Sequence, residues 1–504
     1  MTGTRLYIIT LAMMLSLFLA SMEVTVVATA MPTIVAQLGG LEIYAWVFSA
    51  YMLASTTMVP IFGKLSDIYG RRRIYLIAVT FFLLGSLLCA QAQTMPQLVL
   101  FRVVQGLGAG GIQPLAFTII GDIFTFEQRA KMQGWFSSVW GISSIIGPII
   151  GGFLVEQASW HWVFWINLPF GLFAATLMIL AWRDVSPRSP GQVDYLGAAV
   201  LSAAIAALML ALFELRAGNL SNGGTFGFLL GIAIILFAIL WAIERRASNP
   251  ILPLALFRER LFATSVGHGF LAGFALFGST SFLPLFAQTV LGVSATIAGA
   301  TLMPQILAWV LASIIGSRLL LRFNYRSLAL VGMSVLVASF ATLTMINATT
   351  PLWVLFIVVG LGGMGMGFSI PSFLIAVQTT VSRESLGTAT ATVQFSRSIG
   401  GAMGTSVMGV ILAARLASSL TVLGLDPNNE TLGVLIEGNG SAAMLAQLRD
   451  AVAFAVQTVF VAALLAAILG WMVTWFAPRA RIGKATSVSH SSEKTRGSEQ
   501  DPAE

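Results

Sequence analysis

About twenty mostly apolar residues in a row are enough to cross the hydrocarbon core of a bilayer as one helix. This chain carries fourteen such runs, at approximately 7–28, 43–62, 74–93, 98–120, 134–155, 162–182, 194–214, 226–244, 262–288, 296–317, 327–346, 352–375, 389–414 and 452–476. Nearly all mix Gly, Ser, Ala or Thr among Leu, Ile, Val and Phe, the composition of closely packed membrane helices. Composition agrees: charged residues are 9% of the chain, where a soluble domain carries roughly 25%. Hydrophobic residues make up 57%, more than a soluble globule of this length can keep from water. A soluble enzyme is excluded, and the expected class is an all-α integral membrane protein.

The net charge of +7 raises the question of a nucleic-acid partner. Loop positions answer it. With loops assigned alternately to the two sides, 22 of the 27 Lys and Arg fall on the side of the N-terminus. Arg216, Arg415 and Arg449 fall on the other, and Arg102 and Arg397 lie inside spans. Positive loops stay in the cytoplasm, so both termini are expected there and the protein in the plasma membrane as a multi-pass chain. One missed span would invert every later loop and mix the two sets. Nucleic acid is not needed to explain the basic balance.

The first 30 residues resemble a signal peptide, with Arg5, an apolar core and Ala28-Thr29-Ala30. That reading fails, because the run is as long as a full span, contains Glu23 and is followed by thirteen more. The single Cys89 permits neither an internal disulfide nor a cysteine metal site. His161, His268 and His490 lack metal-ligand spacing, and no cofactor is expected. His161 sits in an aromatic belt from Trp160 to Trp165 and reads as an interface anchor more readily than a sensor. His268, inside the ninth span, reads as a core histidine more readily than a proton site.

The chain repeats itself. Gly63 to Arg73 follows the second span, and Gly316 to Arg326 follows the tenth with the same spacing, Leu320 replacing Asp67. Gly106-Leu-Gly-Ala-Gly-Gly in span four is echoed by Gly360-Leu-Gly-Gly-Met-Gly in span twelve, each followed by a proline, Pro114 or Pro371. The signals recur eight spans apart. Two six-span halves with two inserted spans explain this, and parallel repeats are a transporter signature. The expected organisation is a first bundle over 1–183, a linker with two spans over 184–260, and a second bundle over 261–477. The second bundle carries an outer loop at 416–450, and a polar cytoplasmic tail covers 478–504.

A phosphate loop of the Gly-x4-Gly-Lys-Ser/Thr type is absent from the sequence, so work would have to come from an ion gradient. Glu23 is the leading coupling group. A charge inside a span costs at least about 2.5 kcal/mol, and a carboxyl that titrates there can exchange a proton for a cationic substrate. The plainer alternative is a permanent partner for a buried arginine such as Arg102. Arg102 has Gln105 one turn away, and Gln113 lies further along the same span. Arg397 in span thirteen is the other intramembrane arginine, with snorkelling as its plain reading. Asp67 and Arg71 stand four apart, and Asp122 ends span four. These groups, with Gly63 and Gly70, form either a helix-end ion pair or a latch that makes and breaks. Gly141, Gly147, Pro148, Gly151 and Gly152 in span five are a packing stripe or a hinge.

Together these motifs resemble the major facilitator superfamily over roughly residues 5–477. Gly63 to Arg73 looks like its signature loop. Arg102 with Gly106 to Gly110 resembles its fourth-span proton-coupling motif, and Gly141 to Gly152 its antiporter motif in span five. Leu19 to Val27 with Met31-Pro32, Trp162 to Pro169, and Ser396 to Gly404 look like the subgroup with fourteen spans, the drug:proton antiporters. The resemblance implies two six-helix bundles with two inserted spans and a midplane cavity worked by alternating access. It places Glu23 where that family usually has Asp, pairs Asp122 with Arg71, and puts His161 where an Arg is usual.

The reading is a transporter, not an enzyme. It exports amphipathic, cationic or hydrophobic small molecules in exchange for protons. An exporter of an endogenous lipid, siderophore or metabolite on the same fold is the alternative, though no enlarged outer domain beyond 416–450 favours it. A channel would need no titrating acid. The expected partners are the small-molecule substrate, protons and the lipid bilayer. The sequence leaves the oligomeric state open, with a monomer as the simplest expectation.

Overall fold

The computed structural model describes residues 3–39, 43–182, 194–216, 223–247, 250–280, 282–422 and 442–479. Among them there is no strand. Fourteen helices are long and apolar enough to cross a membrane. In chain order, spans 1 to 7 are Thr4–Met31, Trp46–Tyr69, Arg71–Cys89, Met95–Ile123, Phe126–Gln157, Trp162–Ala181 and Tyr195–Glu214. Spans 8 to 14 are Gly224–Glu244, Arg260–Thr289, Ile297–Leu319, Tyr325–Leu343, Leu352–Thr380, Arg383–Thr421 and Met444–Trp475.

Every expected run is present, and several helices outgrow their apolar windows. Span 5 starts at Phe126 rather than 134, because the helix is capped in polar sequence: the Thr125 backbone N–H donates to Gln128 Oε1 at 3.1 Å. The outer loop expected at 416–450 is shorter than that. The helix of span 13 runs on to Val422 and the next begins at Ala442. Both extensions are rich in Ala and Leu, good helix formers with or without lipid. The centre of that loop, the linker at 184–193 and the tail from 480 lie outside the described residues.

The internal repeat is visible in the packing. Span 4 lies against spans 2 and 3, and span 1 against spans 5 and 6. Eight spans later, span 12 lies against spans 10 and 11, and span 9 against spans 13 and 14. This makes two six-helix bundles. They meet where span 2 touches span 13 and span 5 touches span 10. The inserted spans 7 and 8 pair with each other, and span 7 rests on both span 2 and span 13. Trp46 and Phe213 meet there at 4.8 Å between ring centroids.

Glycine sets how closely span 4 is held. A Cβ at Gly106 or Gly110 would lie 2.5 or 2.2 Å from the backbone oxygen of Tyr51 or Ser55 on span 2. A Cβ at Gly108, on the opposite face, would lie 2.2 Å from the Phe82 nitrogen on span 3. Span 4 is therefore clamped on two sides, which fixes the direction of the side chains one turn earlier, at Arg102 and Gln105.

Candidate functional site

Two polar centres stand out against the apolar interior. The first lies inside the first bundle. Glu23 is 1% exposed, and Arg102, Gln105 and Asn167 are 0% exposed. Arg102 Nη1 donates to Glu23 Oε1 at 2.6 Å and to Gln105 Oε1 at 2.7 Å. Arg102 Nε donates to the Val47 carbonyl at 3.2 Å, and the guanidinium lies 4.1 Å from the Tyr51 ring centroid. Asn167 Nδ2 donates to Glu23 Oε2 at 2.6 Å. Ser86 joins the two sides, accepting from Gln105 Nε2 at 2.7 Å and from Asn167 Nδ2 at 3.1 Å. Five of the six spans of this bundle thus supply one connected network, and both carboxylate oxygens of Glu23 are satisfied.

Asn167 Oδ1 is the unsatisfied atom of this network. An amide presents a donor or an acceptor depending on which way it faces. Turned by half a rotation, Asn167 would accept a hydrogen bond from a neutral Glu23, where it now donates one to the carboxylate.

The second centre joins the two bundles at the end that carries Arg71, Arg129 and Arg383, here called the basic end. Asp67 lies at the N-terminus of the helix Leu386–Val422. Its carboxylate accepts from the Gly387 N–H at 2.9 Å, from the Thr388 N–H at 2.7 Å and from Thr388 Oγ1 at 2.6 Å. A carboxylate at a helix N-terminus gains from unpaired N–H groups and the helix dipole together. Arg71 Nη1 donates to Asp67 and to Ser66 Oγ, while Nη2 donates to the Arg383 carbonyl at 3.0 Å. Asp122 is at the edge of ion-pair range, 4.0 Å from Arg71 Nε.

Two glycines permit this approach. A Cβ on Gly63 would sit 2.3 Å from Ala391 Cβ, so the backbones of spans 2 and 13 touch. Gly70 adopts φ 96°, ψ 146° in the one-residue turn between spans 2 and 3, a conformation that L side chains avoid. Nearby, Arg129 Nη1 donates to the Gln378 carbonyl at 2.9 Å, Gln378 Nε2 donates to the Phe117 carbonyl at 3.0 Å, and Ser137 pairs with Ser313 at 2.7 Å. Among the described residues, these side-chain bonds between the bundles gather toward this end.

The other expected site residues fall apart into separate surroundings. Gln113 is half-buried and joins no bond of the Glu23 network. Arg397 belongs to the second bundle and lines a separate small cavity with His268 and Gln394. The span 5 stripe divides. Gly141 faces Val310 of span 10, Gly147 and Gly151 face Thr25 and Val26 of span 1, and Gly152 faces open space. The helix continues through Pro148, which is exposed. His161 pairs with Ser159 Oγ at 2.7 Å and stacks on Trp160. Burial pushes its pKa below the ordinary histidine range, which suits an uncharged anchor.

Sequence reasoning missed Asn167, Ser86 and Tyr51 in the network, and Gly387 and Thr388 at the basic end. Asn167 left a signal, an amide inside an apolar run. Ser86 and Thr388 left none, since membrane helices carry many hydroxyls.

A repeated two-bundle helical fold with a buried ion pair in one bundle and a polar contact joining the bundles is the build of a membrane transporter. The sequence profile of the Major Facilitator Superfamily matches residues 13–405, and the chain belongs to that superfamily. It is 37% identical over 413 residues to Multidrug transporter protein MdtP of Bacillus subtilis, covering 81% of this chain and 76% of that protein. It is also 37% identical over 410 residues to Multidrug resistance protein 3 of the same organism, covering 80% and 79%. Among solved structures it resembles the human organic anion transporter MFSD10 with a TM-score of 0.63 at 15% identity, over 93% of this chain and 100% of that one. The proton:xylose symporter XylE follows with a TM-score of 0.58 at 14% identity, over 95% and 97%.

Proposed function

We propose that this protein is a multidrug efflux antiporter of the plasma membrane. It exports amphipathic, cationic small molecules in exchange for protons, by alternating access. The observation that carries this is Glu23, a carboxylate buried inside span 1 and held by the side chains of Arg102 and Asn167. The names of the two Bacillus relatives support drugs as cargo.

In this reading the charged Glu23 is held by Arg102 and Asn167 when no cation is present. A cationic substrate competes with Arg102 for the carboxylate, and a proton displaces the substrate. Neutral Glu23 keeps a partner through the turned Asn167 amide, so neither form is left unsatisfied. Gln105 and Ser86 hold Arg102 and Asn167 in place throughout.

The basic end is cytoplasmic in this reading, which the lopsided loop charges support. The conformer is then closed to the cytoplasm, with Asp67, Arg71, Gly63, Gly70 and Asp122 forming the latch. Opening inward strips the cap from the Leu386–Val422 helix. Span 5, with Gly141 and Pro148, slides between its contacts on spans 1 and 10 as the bundles rock.

The test is export from proteoliposomes with an imposed pH gradient, scored against a panel of dyes, drugs and lipids. Glu23→Gln keeps the shape of the side chain and one acceptor oxygen for Arg102, with its amide NH2 meeting a turned Asn167, but cannot ionise. It is expected to move substrate down its own gradient and to lose uphill export. Unchanged uphill export in Glu23→Gln would overturn the role of Glu23.

A further inference from the structure

Spans 11 and 14 pack against each other on the outside of the second bundle. Toward the basic end they part to leave an open groove of about 450 Å³, within the roughly 300–1,000 Å³ of small-molecule clefts. Leu330, Ser334, Val335 and Ala338 form one wall, and Trp471 and Trp475 form the other. The groove exists because span 11 offers small side chains, Ser334 and Ala338, where span 14 offers two indoles. It opens outward, since Ser334 and Ala338 are exposed and Trp475 is 49% exposed. In a membrane-spanning bundle such a face meets lipid.

The walls suit a hydrocarbon chain. The two indole rings lie 5.5 Å apart between centroids, tilted by 38°, and make one continuous aromatic side. Trp471 Nε1 donates to Ser334 Oγ at 3.0 Å. That bond keeps the inner indole N–H within the protein, so an occupant need not supply an acceptor for it.

The mouth is of a different kind. Arg326 stands one helical turn before Leu330 and two before Ser334, on the same side of span 11. Its guanidinium carbon lies 5.2 Å from the centroid of the Trp475 ring. Among the described residues Arg326 makes no ion pair, with Glu259 or Glu384 at this end or with any other acid. Span 11 contains no acid, and neither do residues 318–324 or 476–479. Asp450, the acid of span 14, precedes Trp475 by about seven turns. The flanking segments add Arg318, Arg322 and Arg479 instead. A cation is repelled from this mouth and an anion is drawn to it.

We infer that the groove seats one anionic phospholipid, with an acyl chain against Trp471, Ser334 and Ala338 and the phosphate held by Arg326 beside Trp475. Basic pockets between spans select acidic headgroups, and a Trp at the end of a span stands where hydrocarbon gives way to headgroup. The site lies off both seams between the bundles. The lipid therefore ties two spans of the second bundle together without bridging it to the first.

The experiment is native mass spectrometry of the delipidated full-length protein in detergent, titrated with phosphatidylglycerol or with phosphatidylcholine of the same chains. One phosphatidylglycerol is expected to bind about fivefold more tightly than phosphatidylcholine, the effect of one arginine near a membrane surface. Arg326→Gln should remove that preference. Ala338→Trp fills the groove at an exposed position and changes no charge, and it should weaken phosphatidylglycerol binding at least as far. Arg5→Gln, an exposed arginine at the same end of the first bundle, should change nothing. Phosphatidylglycerol with a diazirine in its acyl chain should crosslink to 330–338 and 471–475, a readout that needs no variant. Equal affinity for the two lipids would mean that bilayer wets the groove without selection, and the inference would fall. Binding unchanged in Ala338→Trp would overturn it, as would a protein dimer whose formation excludes the lipid.

Discussion

Glu23 and Arg102 show how unequal the two members of a buried pair are once separated. Removing one partner leaves the other as an uncompensated charge, at a cost of about 3–5 kcal/mol, whereas neutralising both together is far milder. Arg102→Gln should therefore lower the unfolding temperature in detergent sharply, and Glu23→Gln with Arg102→Gln should recover much of the loss. A double variant no more stable than Arg102→Gln would mean that Arg102 acts through packing on Tyr51 rather than through charge. Both residues were legible in the sequence, because a charge within an apolar run is rare and costly. Asn167 and Ser86 were not singled out, because an amide or a hydroxyl can hide in such a run by bonding its own backbone. Only the fold shows that these two spend their hydrogen bonds on one carboxylate and its neighbours.

The element that matters most is the start of the helix Leu386–Val422, which borrows its cap from the other bundle. Local sequence supplies Ser382 and Ser385 near that end, and the Asp67 carboxylate nonetheless takes the Gly387 and Thr388 N–H groups. Asp67→Asn keeps one acceptor oxygen and loses the charge, which should weaken the cap by about 0.5–2 kcal/mol. That is enough to shift a balanced equilibrium roughly twofold to thirtyfold toward opening of the basic end. Distances between spin labels on spans 2 and 13 should show a longer population grow in Asp67→Asn. An unchanged distance distribution would reduce the contact to a static ion pair. The sequence placed Asp67 and Arg71 together and left open whether they latch anything. Their partners are more than 300 residues away, and no local pattern points to them.

At the scale of the whole molecule, the repeat of packing partners eight spans apart makes two bundles that meet along shared seams. Span 7 rests across one seam, between spans 2 and 13, and leaves the seam between spans 5 and 10 without such a cover. In the proposed exchange of one proton for one monovalent cation no net charge moves, so the pH gradient alone would drive export. A potential of 100 mV acts on a moved charge with about 2.3 kcal/mol, roughly fiftyfold in concentration. Export of a monovalent dye from proteoliposomes at a fixed pH gradient should thus stay flat as a potassium diffusion potential is varied. A steep dependence would require more than one proton per cycle. The sequence by itself determined the fourteen spans, their repeat and the short roster of intramembrane charges, because lipid leaves an apolar run one backbone structure and makes every buried charge conspicuous. Which groups meet was decided only by the tertiary structure. Asn167 comes to Glu23 and Thr388 to Asp67, while Arg397 goes to a cavity of its own, because contacts between helices depend on how closely glycine lets their backbones approach and not on the pattern within any one of them.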